Sequence, residues 1–235
     1  MNEAERRDRL IQWLEVIFRD VQKLLVDDHI FWELQEIVRS NPKFKQASGL
    51  FTQWTASAFI QAAAAAVRRQ AKANSDSVSL KRFLREVQRY PCLVSREHYM
   101  SFYKGKGRWL IEGGQRDFDA VAGKGGSHVS AAFVERQLRE LENAVEGIAH
   151  YVDRRIAHYD KRGLARPTPT LGDLSRALKT IGKLVTRYWS LLKGEAISVR
   201  PTIVYDWKDI FRFPWIGEVA SNNPAPPDGG DAAPQ

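Results

Sequence analysis

The run Tyr151-Val-Asp-Arg-Arg-Ile-Ala-His-Tyr-Asp-Lys-Arg-Gly163 decides how the rest of the chain is read. Upstream of it, Val134, Leu138, Leu141, Val145, Ile148, Val152, Ile156 and Tyr159 recur at steps of three and four. That is the apolar seam of a helix facing a core. The spacing predicts a long helix over about 129–161, with Gly163 as its stop signal. On an ideal helix turning by about 100° per residue, His158 projects roughly 120° away from the middle of the seam. Arg154 and His150 precede it by one and two turns on nearly the same side, and Tyr151 is almost in line with it. Arg155 sits closer to the seam's edge. Such a second stripe is either a solvated face whose cations complement the helix dipole or a site.

An arginine followed a few residues later by a histidine near a helix end resembles the mark of HEPN domains. The run Arg155-Ile-Ala-His158-Tyr-Asp160 is similar to the abortive-infection U (AbiU) type within that group. The resemblance extends from about Phe18 to Trp215. It implies an all-α fold, a HEPN-like helical bundle. It also implies an RNA-binding protein, in many members a metal-independent endoribonuclease that dimerises to bring two motifs together, acting as toxin or effector in a defence or toxin–antitoxin system. The implied partners are RNA, a second copy in a homodimer, and an antitoxin or other defence protein. No cofactor and no metal are implied.

His158 carries over from the resemblance as a catalytic residue. The family's arginine stands farther from the histidine, at positions held here by Tyr151, Val152 and Asp153. Either Arg154 substitutes as the second catalytic residue, or the domain binds RNA without cutting it. Arg155, Tyr151, His150, Lys161 and Arg162 are then the substrate-binding residues. A reading from another class is a helical interaction protein that uses the polar stripe only to dimerise.

The residue types suit the implied chemistry. RNA cleavage without metal needs a group that moves a proton and cations that hold the charge developing on phosphate. A histidine titrating near neutrality does the first, and arginine forks do the second. Asp153 and Asp160 are candidates to orient His158 or pair the arginines. His29, His98 and His128 are isolated in sequence, and His150 and His158 have no third ligand at metal-binding spacing.

Composition bounds the partners. In 235 residues, 43% hydrophobic and 27% charged, the balance is that of a folded globular chain, read here as one domain over 1–219 and a disordered tail over 220–235. Lysine and arginine number 36 against 28 acids, a net charge of +8, which favours polyanions, nucleic acid before membrane. Cys92 stands alone, so the chain forms no disulfide with itself and no cysteine-rich zinc site. The first residues are charged rather than apolar, and no stretch approaches the roughly 20 apolar residues of a membrane span. The expected location is the cytoplasm, with no membrane partner.

Working outward from the motif, Thr170 and Asp173 form a capping-box-like start, with Asp for the usual Glu or Gln, to a helix over about 170–193. Joined to the motif helix by a short proline-containing turn, it should form an antiparallel pair with it. Residues 4–39 read as helix, with Asp28 where the apolar stripe expects a hydrophobe. The simplest account is a break near Val26-Asp27-Asp28, with an Asp capping a second segment; the sharper one is a buried functional Asp. Residues 50–73, containing Ala62–Ala66, read as the central packing helix, and Arg68 and Arg69 as its solvated end. Ser79 caps a short helix to Tyr90.

Between Tyr99 and Ser127 seven glycines, Gly105 to Gly126, interrupt any period. This reads as a mobile Gly-rich loop over 105–127 that could reach over a ligand, though not as a phosphate loop, since no Ser or Thr directly follows Lys124. Beyond Gly194, Ile197–Tyr205 is β-branched and extended, and Trp207, Phe211, Phe213 and Trp215 follow it. This extended aromatic C-terminal segment is expected to lie as a strap across the helices, the alternative being a platform that stacks unpaired bases.

Overall fold

Long apolar stripes dictate helices, and in the computed structural model, which describes residues 2–46, 49–156, 168–197 and 206–213, eight α-helices form. There is no strand among the described residues, only a single bridge between Ser95 and His128. The all-α expectation holds. No helix among these residues is long and apolar enough to cross a membrane. The chain falls into two units, residues 1–202 and 203–235.

Helix α1 runs from Glu3 to Ser40. Asn2 caps it in a reciprocal box, its side chain accepting from the Glu5 N–H at 2.8 Å while its own N–H donates to the Glu5 carboxylate at 3.0 Å. The expected break at Val26-Asp27-Asp28 does not occur. Asp28 is buried at 7% exposure, and its carboxylate accepts a 2.8 Å bond from the Ser175 hydroxyl, which in turn accepts from the Trp32 indole N–H at 2.9 Å. Asp28 therefore finds its partner on another helix instead of at a helix start, and the backbone continues unbroken. Asn41, extended before Pro42, ends α1.

A short α2 (Pro42–Gln46) leads to α3 (Leu50–Ala71). The second half of α3 packs: Ala63, Ala64, Ala66, Val67 and Gln70 are buried. Its first half does not, with Leu50 at 72% and Trp54 at 67% exposure, so α3 is not central along its whole length. Two hydrogen bonds clamp its far end. Gln70 donates to Asp20 at 2.7 Å and accepts from the Leu80 N–H at 2.9 Å. The Ser79 hydroxyl donates to the Lys72 carbonyl while capping α4 (Leu80–Arg89), whose Leu80, Phe83, Leu84 and Val87 are buried.

The glycine-rich stretch is a correction. After α5 (Arg96–Ser101), residues Arg108–Ala122 form α6 where a mobile loop was expected. Gly113 and Gly114 lie inside the helix, and Gly114 is there for contact, since a Cβ would lie 2.9 Å from the Tyr103 ring. Glycines with positive φ flank α6: Gly105 before it, Gly123 and Gly125 after it. The later turn is tied down. Arg96 donates to the Gly126 carbonyl at 2.7 Å and to Asp119 at 2.6 Å, and Asp119 also accepts from the Gly125 N–H at 3.0 Å.

Ser130 caps α7 (Ala131–Tyr151), and Thr170 with Asp173 forms the capping box anticipated for α8 (Leu171–Lys193). Three contacts set the direction of this pair. Arg187 lies over the Phe133 ring, Lys183 pairs with Glu140 at 2.8 Å, and Leu174 shares a cavity with Ile148. As one number rises the other falls, so the helices are antiparallel. Helix α8 packs against α1, α3, α5 and α7 and buries twelve residues from Leu174 to Leu192. It, rather than α3, occupies the centre. Gly194 ends it at φ +67°, a conformation that suits glycine, and lies directly against the Phe102 ring.

In the second unit the described residues are 206–213, with a 3₁₀ turn at Asp209–Arg212. The Trp207 and Phe211 rings meet edge to face at 5.9 Å, and Arg212 pairs with Asp206 and Asp209. Ile210 and Phe213 are exposed. Residues 198–205 and Trp215 of the expected strap and the whole of the expected tail lie outside the described residues.

Candidate functional site

The apolar seam of α7 holds to its end, with Val145 and Ile148 buried and Val152 at 3% exposure. There the backbone changes. Val152–Ile156 forms a π-helical turn, a wider geometry that recurs at functional sites. Val152 and Ile156 both stay on the core across this turn, while Asp153, Arg154 and Arg155 between them are all half-buried. The angular positions of an ideal α-helix thus cease to apply at Val152.

The sequence could not show what α3 brings to this turn. Arg68 donates through Nε to Asp153 Oδ1, and Lys72 Nζ stands 3.7 Å from the same oxygen. Arg68 and Lys72 are four residues apart on one face of the α3 end, the spacing that aligns side chains. Arg68 therefore does not mark a solvated end; Arg69 is also paired, to Asp20 at 2.8 Å. Asp153, considered as a partner for the motif's own histidine or arginines, turns to α3 instead. Two cations of α3, Arg68 and Lys72, meet the Asp153 carboxylate, and Arg154 and Arg155 follow it on the same turn.

The other candidate residues divide. Tyr151 lines a cavity of about 140 Å³ with Ile60, Ala64, Ile148 and Leu174, roofed by Thr168–Leu171. His150 is half-buried, and its Nε2 is closed off without a hydrogen-bond partner among the described residues. His158, Lys161 and Arg162 lie outside the described residues, as does Asp160. The remaining histidines are engaged locally: His29 with Glu33 at 3.5 Å, His98 with the Leu192 carbonyl at 2.8 Å, and His128 with the Val129 carbonyl at 3.1 Å.

Against this geometry the family model AbiU2, of the HEPN group, matches residues 8–211. The chain belongs to the HEPN AbiU2 family. The match spans α1 to α8 and reaches into the second unit, so the whole bundle, not the motif alone, is the AbiU2 domain. No curated protein and no solved structure matched the chain. Within this AbiU2 domain, the place expected of the family's arginine is held by the Tyr151 ring in its cavity, by the buried Val152, or by Asp153 facing α3.

Proposed function

We propose that this protein is an RNA-binding defence effector of the abortive-infection type, that its RNA-binding face is the end of α7, and that it cleaves RNA without metal as a homodimer. The observation that carries the reading is the collection of cations around the π-helical turn in a chain of the AbiU2 family. Guanidinium and ammonium groups on a half-exposed turn suit the phosphodiester backbone, and the chain's net charge of +8 works in the same direction at longer range. His158 is the proton-moving group of this scheme and Arg154 holds the charge that develops on phosphate. Arg155, Tyr151, Lys161 and Arg162 contact the strand, and a second copy supplies the same set across a two-fold axis. An antitoxin or other defence protein is the partner that restrains such an activity.

A second reading is favoured by one specific observation. Val152 stands at one of the places where the family's arginine is expected, and it is buried apolar surface. On that ground the domain binds RNA and leaves it intact. A time course on total cellular RNA in chelator, wild type beside His158→Ala, separates the two. The nuclease predicts fragments from wild type and a loss of roughly 10²–10⁴-fold in the variant, the usual range for a positioned acid–base group, with RNA affinity little changed. Intact RNA throughout, bound in a salt-sensitive way by both proteins, selects the binding module. Equal cleavage by both proteins rejects the proposed site.

A further inference from the structure

Arg68 is bonded in an unusual way for a surface cation. Its Nε is given to Asp153, and the two terminal nitrogens of the same guanidinium have no hydrogen-bond partner among the described residues. A carboxylate on Nε fixes the plane of the group and leaves the Nη fork, the part that matches phosphate oxygens in pairs, pointing away from it. The side chain is 30% exposed, so its stem is packed while its tip reaches solvent. Lys72, 39% exposed, stands 3.7 Å from the same carboxylate oxygen, and Arg154 and Arg155 follow Asp153 on the same turn. The platform beneath is rigid, because Gln70 and Ser79 clamp the end of α3 from two sides.

We propose that Arg68 is the principal phosphate-binding arginine of this site, presented by α3 and held in place by Asp153, so that an RNA backbone is gripped between two helices. This rests on the reading that the end of α7 binds RNA. Asp153 is a positioning residue: it touches no phosphate itself, and a lone carboxylate at an anion site repels the ligand. It is compatible with the site because it holds two cations in a fixed place.

That arrangement makes an opposite-sign forecast for two simple ideas. If Asp153 only repels RNA, Asp153→Asn binds more tightly than wild type. If it positions Arg68, the variant binds more weakly although a negative charge has been removed. The experiment measures binding of a fluorescein-labelled single-stranded RNA over a salt series for wild type, Arg68→Ala, Arg68→Lys, Asp153→Asn and Arg154→Ala, in chelator and with each variant's melting temperature recorded. Expected are a loss of about tenfold for Arg68→Ala and a salt slope shallower by about one. Asp153→Asn should lose affinity with the slope retained, and Arg68→Lys, which keeps the charge without the fork, should fall between wild type and Arg68→Ala.

Affinity and slope unchanged in Arg68→Ala, or tighter binding by Asp153→Asn, overturns the inference. If Arg154→Ala still abolishes binding in that case, the wider reading of the α7 end stands. A wild type that binds no RNA at low salt overturns both. Should Arg68→Ala fold poorly, Arg68→Lys carries the test: weaker binding at an unchanged melting temperature supports the role, and wild-type affinity rejects it.

Discussion

Asp28 interrupts the apolar stripe of α1 and is nevertheless buried, because Ser175 and Trp32 complete a chain of bonds to it. Removing the carboxylate leaves the Ser175 hydroxyl without its acceptor in a closed place, and an orphaned polar group of this kind costs about 1–3 kcal/mol. Asp28→Ala should therefore lower the unfolding free energy measured in urea by that amount, and Ser175→Ala in the same background should recover part of it; additive losses would show the two residues to be independent. Tyr188 presents the opposite case. It is fully buried against Phe83, its hydroxyl has no partner among the described residues, and burial pushes its pKa far up. Tyr188→Phe removes an unsatisfied group without opening a cavity, so thermal unfolding should show a gain of about 1 kcal/mol. Neither residue's surroundings could be read from its neighbours in sequence, since Ser175 is 147 positions from Asp28.

Helix α6 contains two glycines with different surroundings. Gly113 and Gly114 occupy adjacent helical positions and differ only in what lies beside them. A Cβ on Gly113 meets nothing within 4 Å, whereas one on Gly114 meets the Tyr103 ring at 2.9 Å. Glycine inside a helix costs about 1 kcal/mol relative to alanine, so Gly113→Ala should stabilise by up to that amount. Gly114→Ala gains the same propensity but must displace a ring bonded through its hydroxyl to Tyr99, and should be neutral or destabilising in a side-by-side denaturation. Equal gains would show that Tyr103 moves freely. The start of α8 carries a pH dependence. The Thr170 backbone N–H and hydroxyl, helped by Arg176, hold the Asp173 carboxyl below the usual carboxylate range. The Gly125 N–H and Arg96 do the same for Asp119. A carboxylate with a depressed folded pKa contributes stability that is complete above its unfolded value, about 4, and lost as the pH falls through the folded one. Urea midpoints should therefore drop below about pH 4, and less steeply in Asp173→Asn.

At the scale of the whole molecule, the antiparallel pair α7 and α8 at the centre is flanked by α1 and α3, and the π-helical turn with Arg154 and Arg155 follows the end of α7. A face built there is complete only when a second copy adds its own cations, if the proposed two-fold arrangement holds. Light scattering at tens of micromolar protein, a range that detects micromolar association, should give the mass of a dimer. Arg154→Glu together with Arg155→Glu should shift it towards monomer if that face forms the contact. A dimer indifferent to both substitutions would place the interface elsewhere.

Sequence alone determined the elements that obey one-dimensional rules. The seam of α7, the Thr170–Asp173 box, the Ser79 cap and the Gly194 stop all follow from spacing and from the local needs of helix ends, and each stands where those needs put it. The AbiU2 resemblance was legible for the same reason, being carried by a short contiguous run. Tertiary structure decided whatever depends on a distant partner. Asp28 reads as a helix start until Ser175 appears beside it, and the glycines of α6 read as a loop until the Tyr103 ring fills the space a Cβ would need. Arg68 reads as a solvated helix end until Asp153, 85 residues away, fixes its guanidinium at the motif. A helix pattern is a property of neighbours in the chain, and the fate of a buried charge or of a missing side chain is a property of neighbours in space.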